Sequence, residues 1–521
     1  MDALFPIDKP LCVTFRTPSR CYCYDGNTGL IARTDHALFT ILQDQCDSSG
    51  SRPPNAVEVP PEARVRAEYK LQELRSKLSL FQPVCIKSRL ADPATVRQNI
   101  DKLVNQFGLM SLSVTERCNL RCKYCVYSGA YIGRRDQVSR EHDMTWETAH
   151  AALDYFLDHL GRQFSQPQVN FYGGEPWLNW PLIRRCVAYL EDRSPKSRFG
   201  ATTNGTLLSD ELADYVAEHD FNLFISLDGP RVAHDRNRIN CAGHGSFDRI
   251  WSNIVRLHRR HPEYYARSVH FLATLETGSD YESALAFFIG YPDLFAPGQV
   301  RFGSVLPLES VRPMQRVDEA YVRLIERFRA KLIAGETEDR ESKFLQSIFD
   351  GAYQRIHRRN VSMRGLGRHC HCSGSCFPGY YRLFVRTDGV LQMCEKLNDK
   401  MTIGNVLTGV DVERVLDIYG LFSRLYDNDH CRNCWAIRFC DECFTNASWT
   451  DGQFDTILHD ERCERNREYW KRHLISYCTL VEENHSSFDY LNNRMAAPMN
   501  VPALELLCPS DVSSTEVTTR R

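Results

Sequence analysis

The sequence predicts an α/β protein: a partial barrel of parallel strands, with a small α+β module before it and a cysteine-rich extension after it. Three observations carry the prediction. From Leu109 to Gly303 apolar runs alternate with amphipathic segments of helical period, as successive βα units require. Residues 1–105 place short β-like runs ahead of helical ones. Beyond the barrel, cysteines crowd the stretch from Cys370 to Cys463.

In the amino-terminal module the runs Leu11–Phe15, Cys21–Tyr24 and Leu30–Arg33 read as strands, with Asp25-Gly26-Asn27 as a turn, and His36–Asp44 as a helix. After a proline-rich break at Ser51–Pro61, the charged segment Glu62–Leu80 sets Leu71, Leu74 and Leu78 on one helical side. This pattern suits a winged-helix module that grips a leader peptide, and equally a plain packing extension. In the barrel, residues 106–310, six strands are expected at Leu109–Val114, Gln168–Tyr172, Phe199–Thr203, Leu223–Leu227, His270–Thr274 and Val300–Gly303. Helices are expected at Thr145–Leu160, Leu182–Asp192 and Asp210–Glu218. Residues 311–365 read as a helical bridge, Pro313–Glu336 and Asp339–Arg358, the first with Val317, Tyr321, Leu324, Phe328 and Leu332 as a core stripe. The cysteine-rich domain takes 366–478, and the polar composition of 479–521 predicts a disordered tail.

A length of 521 residues allows about three domains of roughly 150 residues. A net charge of -2 leaves no electrostatic footprint for nucleic acid or an anionic membrane. The amino terminus lacks the apolar run of roughly 7 to 15 residues that a secretory signal needs, and no stretch is long enough to span a membrane. A cytoplasmic location is expected, and there 21 cysteines do not form a disulfide framework. Clustered ones point to metal. The scattered ones, Cys186, Cys241 and Cys478 among them, read as core residues or surface thiols.

The chemistry concentrates after the strands. Following the first, Cys118, Cys122 and Cys125 stand in a CxxxCxxC spacing, enough thiolates for three corners of a 4Fe-4S cube and one short of closing it. Following the second comes Gly173-Gly174-Glu175-Pro176, where glycines admit a ligand close to the backbone and the carboxylate can receive an ammonium group. Asn204 ends the third strand, Ser226 and Asp228 the fourth, and Arg238 follows; such groups suit a ribose and a carboxylate, with Asp228 read as fixing a turn. The later region holds Cys370, Cys372, Cys376, Cys394, Cys431, Cys434, Cys440, Cys443 and Cys463, whose CxxC pairs alone fit tetrahedral zinc.

Taken together, these motifs resemble the radical SAM enzymes with a SPASM extension, over about Leu109 to Cys463. The resemblance implies a (β/α)6 radical SAM barrel, three 4Fe-4S clusters and S-adenosylmethionine. The cluster at Cys118, Cys122 and Cys125 would leave one iron open to the cofactor, whose amine Glu175 would meet beside Gly173 and Gly174. Ser226, Arg238 and Asn204 would line its pocket. A first auxiliary cluster would take Cys370, Cys376, Cys394 and Cys443, with Cys372 as an alternative to Cys370. A second would take Cys431, Cys434, Cys440 and Cys463. The last pair is spaced CxxC where the family usually has three intervening residues. Glu395, after Cys394, occupies the position where a formylglycine-forming group places a catalytic base.

The resemblance implies reductive cleavage of S-adenosylmethionine and hydrogen abstraction from a ribosomally made precursor peptide, with a flavodoxin or ferredoxin as electron donor. Tyr127 to Tyr131 and Arg134-Arg135 resemble the subgroup that installs thioether or carbon–carbon crosslinks. A sulfatase-maturating, formylglycine-generating enzyme and a non-catalytic zinc or iron–sulfur protein are the alternatives.

Overall fold

In the computed structural model the described residues are 9–46, 59–84, 86, 93–125, 127–128, 142–276, 278–304, 319–366, 376–397, 399–440, 443–444, 449–450, 453–454 and 456–492. The amino-terminal strands are β1 (Cys12–Arg16), β2 (Cys21–Asp25) and β3 (Ile31–Thr34), an antiparallel sheet in that order. Leu38, Ile41 and Leu42 of helix His36–Cys46 pack with Ala67 and Leu71 of helix Pro61–Leu78, closing a small core with Cys23. Cys12 and Cys46 are joined by a disulfide. That corrects the expectation of free thiols here: a strand start and a helix end, 34 positions apart in sequence, are brought to a Cα separation of 6.1 Å by packing that composition cannot reveal. Cys186 and Cys478 are buried and Cys241 is exposed.

The six expected strands form β4 (Gln106–Thr115), β5 (Gln168–Gly173), β6 (Arg198–Thr203), β7 (Asn222–Ser226), β8 (Val269–Leu275) and β9 (Val300–Ser304), adjacent in sequence order and all parallel. The strand period of two decides their faces. On β8, Val269, Phe271, Ala273 and Leu275 are buried, while His270, Leu272 and Thr274 turn to the half-buried inner side. Helices Trp146–Asp158 and Asp210–Glu218 start where Thr145 and Ser209 accept from the N–H groups of Thr148 and Leu212, which satisfies a donor the first turn leaves unpaired. Helices Glu319–Ala334 and Arg340–His357 bring Leu324, Phe328, Leu332, Phe344 and Leu345 into the same core.

The sheet extends beyond the six strands. β10 (Tyr380–Val385) runs parallel beside β4, with Leu383 opposite Met110, and β11 (Val390–Gln392), β12 (Gly404–Asn405) and β13 (Gly409–Val410) follow antiparallel. The cysteine-rich region therefore covers the β4 edge and places Cys394 just after β11.

A long helix, Thr456–Glu483, returns across the molecule. Glu482 near its end accepts hydrogen bonds from Thr17 (2.9 Å) and Tyr22 (2.6 Å) of the amino-terminal sheet. Leu480, Phe488 and Leu491 are buried, so residues 479–492 are not the disordered tail expected; a few apolar side chains in a polar stretch find a ready core. Among the described residues no helix is long and apolar enough to cross a membrane.

Candidate functional site

The cysteine loop leaves β4 at Thr115 and is pinned by backbone pairing on both sides. The Gly174 N–H donates to the Thr115 carbonyl and the Glu175 N–H to that of Arg117, each at 2.9 Å. A Cβ on Gly173 would stand 2.1 Å from the Thr115 oxygen, and one on Gly174 2.1 Å from that of Arg117. The glycine pair thus serves first to bring β5 against the cysteine loop, a role that the ligand reading did not foresee. Opposite, Arg121 N–H donates to Ile239 (2.6 Å) and Lys123 N–H to Asn237 (3.0 Å). Arg117 closes the base on Asp143, its Nε at 3.0 Å from the carboxylate.

Cys118, Cys122 and Cys125 line one cavity of about 550 Å³ with Gly173, Gly174, Asn204, Ser226 and Arg238. Burial pushes the Cys118 thiol up to about 12, and it raises Cys122 and Cys125 as well, against a partial offset from the Arg238 guanidinium. Without metal these thiols hold their protons; ligation must displace them. Among the described residues no three His, Cys, Asp or Glu side chains converge on a point that would hold a single ion. Three thiols on one short loop facing one cavity can serve three corners of a polynuclear cluster.

Glu175 does not line the cavity. Its carboxylate is fully buried and accepts from Thr203 Oγ1 and the Asn204 N–H, both at 2.7 Å, which ties the end of β5 to that of β6. Burial pushes it up to about 7, with those hydrogen bonds opposing. In this rotamer the carboxylate expected to meet an amine braces the wall from behind, a placement set by β6 and not by the local sequence. Asn204 reaches the cavity and also Asn119 Oδ1 at 2.8 Å, with its Nδ2 3.9 Å from Cys118 Sγ. Asn119 and Thr206, unnoticed in the sequence, complete that network (2.8 Å).

Asp228 does more than fix a turn. Its buried carboxylate accepts from Arg238 Nε (2.9 Å), from the Thr274 N–H (2.9 Å) and from the Tyr124 hydroxyl, so one side chain joins β7, β8, the segment after β7 and the cysteine loop. Arg238 lies over the Tyr124 ring, 5.3 Å from its centroid. Behind it, Ser246 donates to the Arg238 carbonyl (2.8 Å), so His234 Nε2 donates to Ser246 (3.0 Å) and its Nδ1 accepts from the Asp228 N–H (3.3 Å). Burial and Arg238 push His234 down to about 3, which keeps it in that neutral form. Tyr124, lying between two of the cysteines, was legible as a position but not as a partner.

From this cavity two tyrosines lead to the second cysteine region. Tyr172 lines the cavity and is raised by burial and by the surrounding Tyr127, Glu395, Cys125 and Cys394. The Tyr127 hydroxyl donates to the Glu395 carbonyl, and Lys396 closes the same wall. The Glu395 carboxylate lies 3.6 Å from Arg382. Burial pushes the Cys394 thiol up to about 12, with Glu395 and Cys443 adding to it. Cys376, exposed as a residue, has a thiol raised by its own burial and by Cys443. Cys376, Cys394 and Cys443 therefore share one neighbourhood. Cys370 and Cys372 lie outside the described residues, as do Tyr131 and Arg134-Arg135. Cys431 and Cys434 lie at a short helix, Asp429–Arg432, where Asn428 accepts from the Cys431 N–H (2.9 Å); Cys440 is buried, and Cys463 sits in the long carboxyl-terminal helix.

Residues 112–287 match the Radical SAM superfamily. The radical SAM cyclopropyl synthase TigE of Paramaledivibacter caminithermalis is 28% identical over 136 residues, which are 25% of this chain and 29% of that one. A cysteine-type anaerobic sulfatase-maturating enzyme of Clostridium novyi is 28% identical over 169 residues, 31% of this chain and 43% of the relative. The chain thus spans less than half the length of each. The structure of anSMEcpe with bound AdoMet superposes with a TM-score of 0.52 over 77% of this chain and 98% of that one, at 18% identity, which establishes a shared fold.

Proposed function

Residues 112–287 form a radical SAM domain, and from that premise we propose that this enzyme abstracts a hydrogen atom from a ribosomally made precursor peptide and leaves a thioether or carbon–carbon crosslink. The observation that carries the reading is the single cavity shared by Cys118, Cys122, Cys125, Ser226 and Arg238, with Tyr172 leading from it to Cys394. When bound, the iron–sulfur cluster and S-adenosylmethionine supply a 5'-deoxyadenosyl radical, and auxiliary clusters take up the electron left on the substrate. The chain's own contribution is position.

Cys118, Cys122 and Cys125 hold the cluster on a loop that backbone bonds have already shaped. Arg238, oriented by Asp228 through Nε and hydrogen-bonded to the Cys122 thiol, faces the cavity, where its guanidinium would meet the cofactor's carboxylate, while Ser226 and Asn204 would meet its polar groups. Glu175 keeps Asn204 in place from behind. Cys376, Cys394 and Cys443, with Cys370 or Cys372, hold one auxiliary cluster; Cys431, Cys434, Cys440 and Cys463 hold the other. A flavodoxin or ferredoxin delivers the electron.

A second reading, maturation of a sulfatase by oxidation of a serine or cysteine, is favoured by Glu395 beside Cys394 and by the sulfatase-maturating relatives. Mass spectrometry of candidate peptides incubated with the anaerobically loaded protein decides between them. A crosslink leaves a peptide about 2 Da lighter that resists sequencing between the joined residues. A formylglycine instead reacts with a hydrazide, and that result would replace the crosslinking proposal. Under the second reading Glu395→Gln suppresses product while 5'-deoxyadenosine still forms; unchanged product removes Glu395 as the base.

A further inference from the structure

Beneath the cofactor cavity the inner barrel wall carries three side chains that the reading above leaves unused. Ser226 and Leu272 line the cavity from β7 and β8. Two positions earlier on the same inner face, about 6.6 Å deeper at the usual strand rise, stand Phe224 and His270. These two are register partners and stack with ring centroids 5.1 Å apart at 23°. Arg301 on β9 is paired in register with Leu272. Its neighbour Val300 is buried and Phe302 packs outward on Phe288 and Phe344, so Arg301 faces inward, its guanidinium 5.1 Å from the Phe224 centroid.

Two features set this group apart from its surroundings. Arg238 is buried and matched by Asp228 at 2.9 Å, whereas Arg301 is exposed and has no carboxylate in ion-pair reach among the described residues. His270 Nδ1 is buried without a hydrogen-bond partner. A cation parked on an aromatic face keeps its planar fork of donors free for an anion, and a fork matches a carboxylate bidentately. Among the described residues β9 is also the last strand of the sheet, so the stack on β7 and β8 stands beside an edge strand.

We propose that Arg301 and His270 form a carboxylate-binding subsite, which seats an acidic side chain or the carboxyl terminus of the substrate peptide next to the cofactor cavity. This inference rests on the peptide-modifying reading above. Phe224 sets the plane of the fork, and the neutral imidazole supplies one further hydrogen bond.

The test uses the iron-loaded full chain under anaerobic conditions with S-adenosylmethionine and two degenerate peptide pools, one with free carboxyl termini and one amidated. Bound peptides are identified by mass spectrometry. The wild type is expected to enrich Asp- or Glu-containing members of both pools, or free termini over amidated ones, by roughly tenfold, the scale of one charge-assisted hydrogen bond. Arg301→Met, which keeps the apolar stem over Phe224, abolishes the enrichment, and Arg301→Lys retains part of it. Peptide capture with no acidic preference, or a preference that survives Arg301→Met, overturns the subsite and leaves the peptide reading standing. Capture of no peptide by the wild type overturns both. Weakened binding of S-adenosylmethionine with unchanged peptide selection in Arg301→Met would assign the cation to the cofactor's own carboxylate and also overturn the proposal.

Discussion

The two cysteine regions are built in opposite ways. The Cys118–Cys125 loop is shaped by the fold itself: backbone bonds to Gly174, Glu175, Asn237 and Ile239 fix its course, and the buried Asp228 ties Tyr124 and Arg238 to two strand ends. The described part of the second region is held mainly by aromatic packing. Trp435 and Phe439, which lie between Cys434 and Cys440, meet Tyr24 of the amino-terminal sheet, and Phe439 stacks on Trp470 with centroids 4.6 Å apart. Arg438 donates to the carbonyls of Gly26 (3.0 Å) and Asn27 (2.5 Å) in the turn between β2 and β3. The lesson is that the first site is shaped by bonds within the barrel, while in the second the amino-terminal module serves as part of the wall.

Substitutions can break that contrast. The largest effect is expected from Cys118→Ala, which removes a ligand from the shaped loop: 5'-deoxyadenosine formation falls to background in a chromatographic assay, with the fold retained. Next is Asp228→Ala, which leaves the buried Arg238 without its carboxylate. Loss of one partner of a buried pair costs about 3–5 kcal/mol, so denaturant unfolding shifts markedly and binding of S-adenosylmethionine weakens. Gly174→Ala forces Cβ against the Arg117 carbonyl; a destabilisation of about 1–3 kcal/mol is expected, with faster loss of iron from the loop in a chelator challenge. Cys394→Ala removes about four irons per chain and lowers peptide product, with a smaller loss of 5'-deoxyadenosine than Cys118→Ala gives.

The smallest effect concerns pH. Glu175 titrates near 7 in the fold against an ordinary 4.5, so between those values the folded chain holds more protons than the unfolded one and stability falls as pH rises. Above about 7 the loss is complete. Glu175→Gln flattens the melting temperature across that window; an unchanged slope would show that another group carries it.

Much of this was legible in the sequence, for a physical reason. Alternation along β4 to β9 and adjacency in order are local properties, so the strands and their loops can be read directly. Cys118, Cys122, Cys125, Ser226 and Arg238 share one cavity, and they could be named beforehand because the spacing of the motifs resembles a known family and the loops after parallel strands converge on one end of a barrel. What escaped depends on distance in sequence or on rotamer. The pairing of β10 with β4 joins residues some 270 positions apart, Leu383 and Met110 among them, and nothing local encodes it. Glu175 turns inward and Asp228 gathers three donors, choices set by neighbours from other strands. Leu480, Phe488 and Leu491 are too sparse to stand out until a core receives them.

The central claim is that these cysteines hold iron–sulfur clusters, one of which serves radical chemistry. Anaerobic reconstitution with metal analysis and a reductant-dependent 5'-deoxyadenosine assay tests it most directly. About twelve irons per chain, from three four-iron clusters, with 5'-deoxyadenosine formed only when reductant is present, is the predicted result. Stoichiometric zinc and no 5'-deoxyadenosine would contradict it.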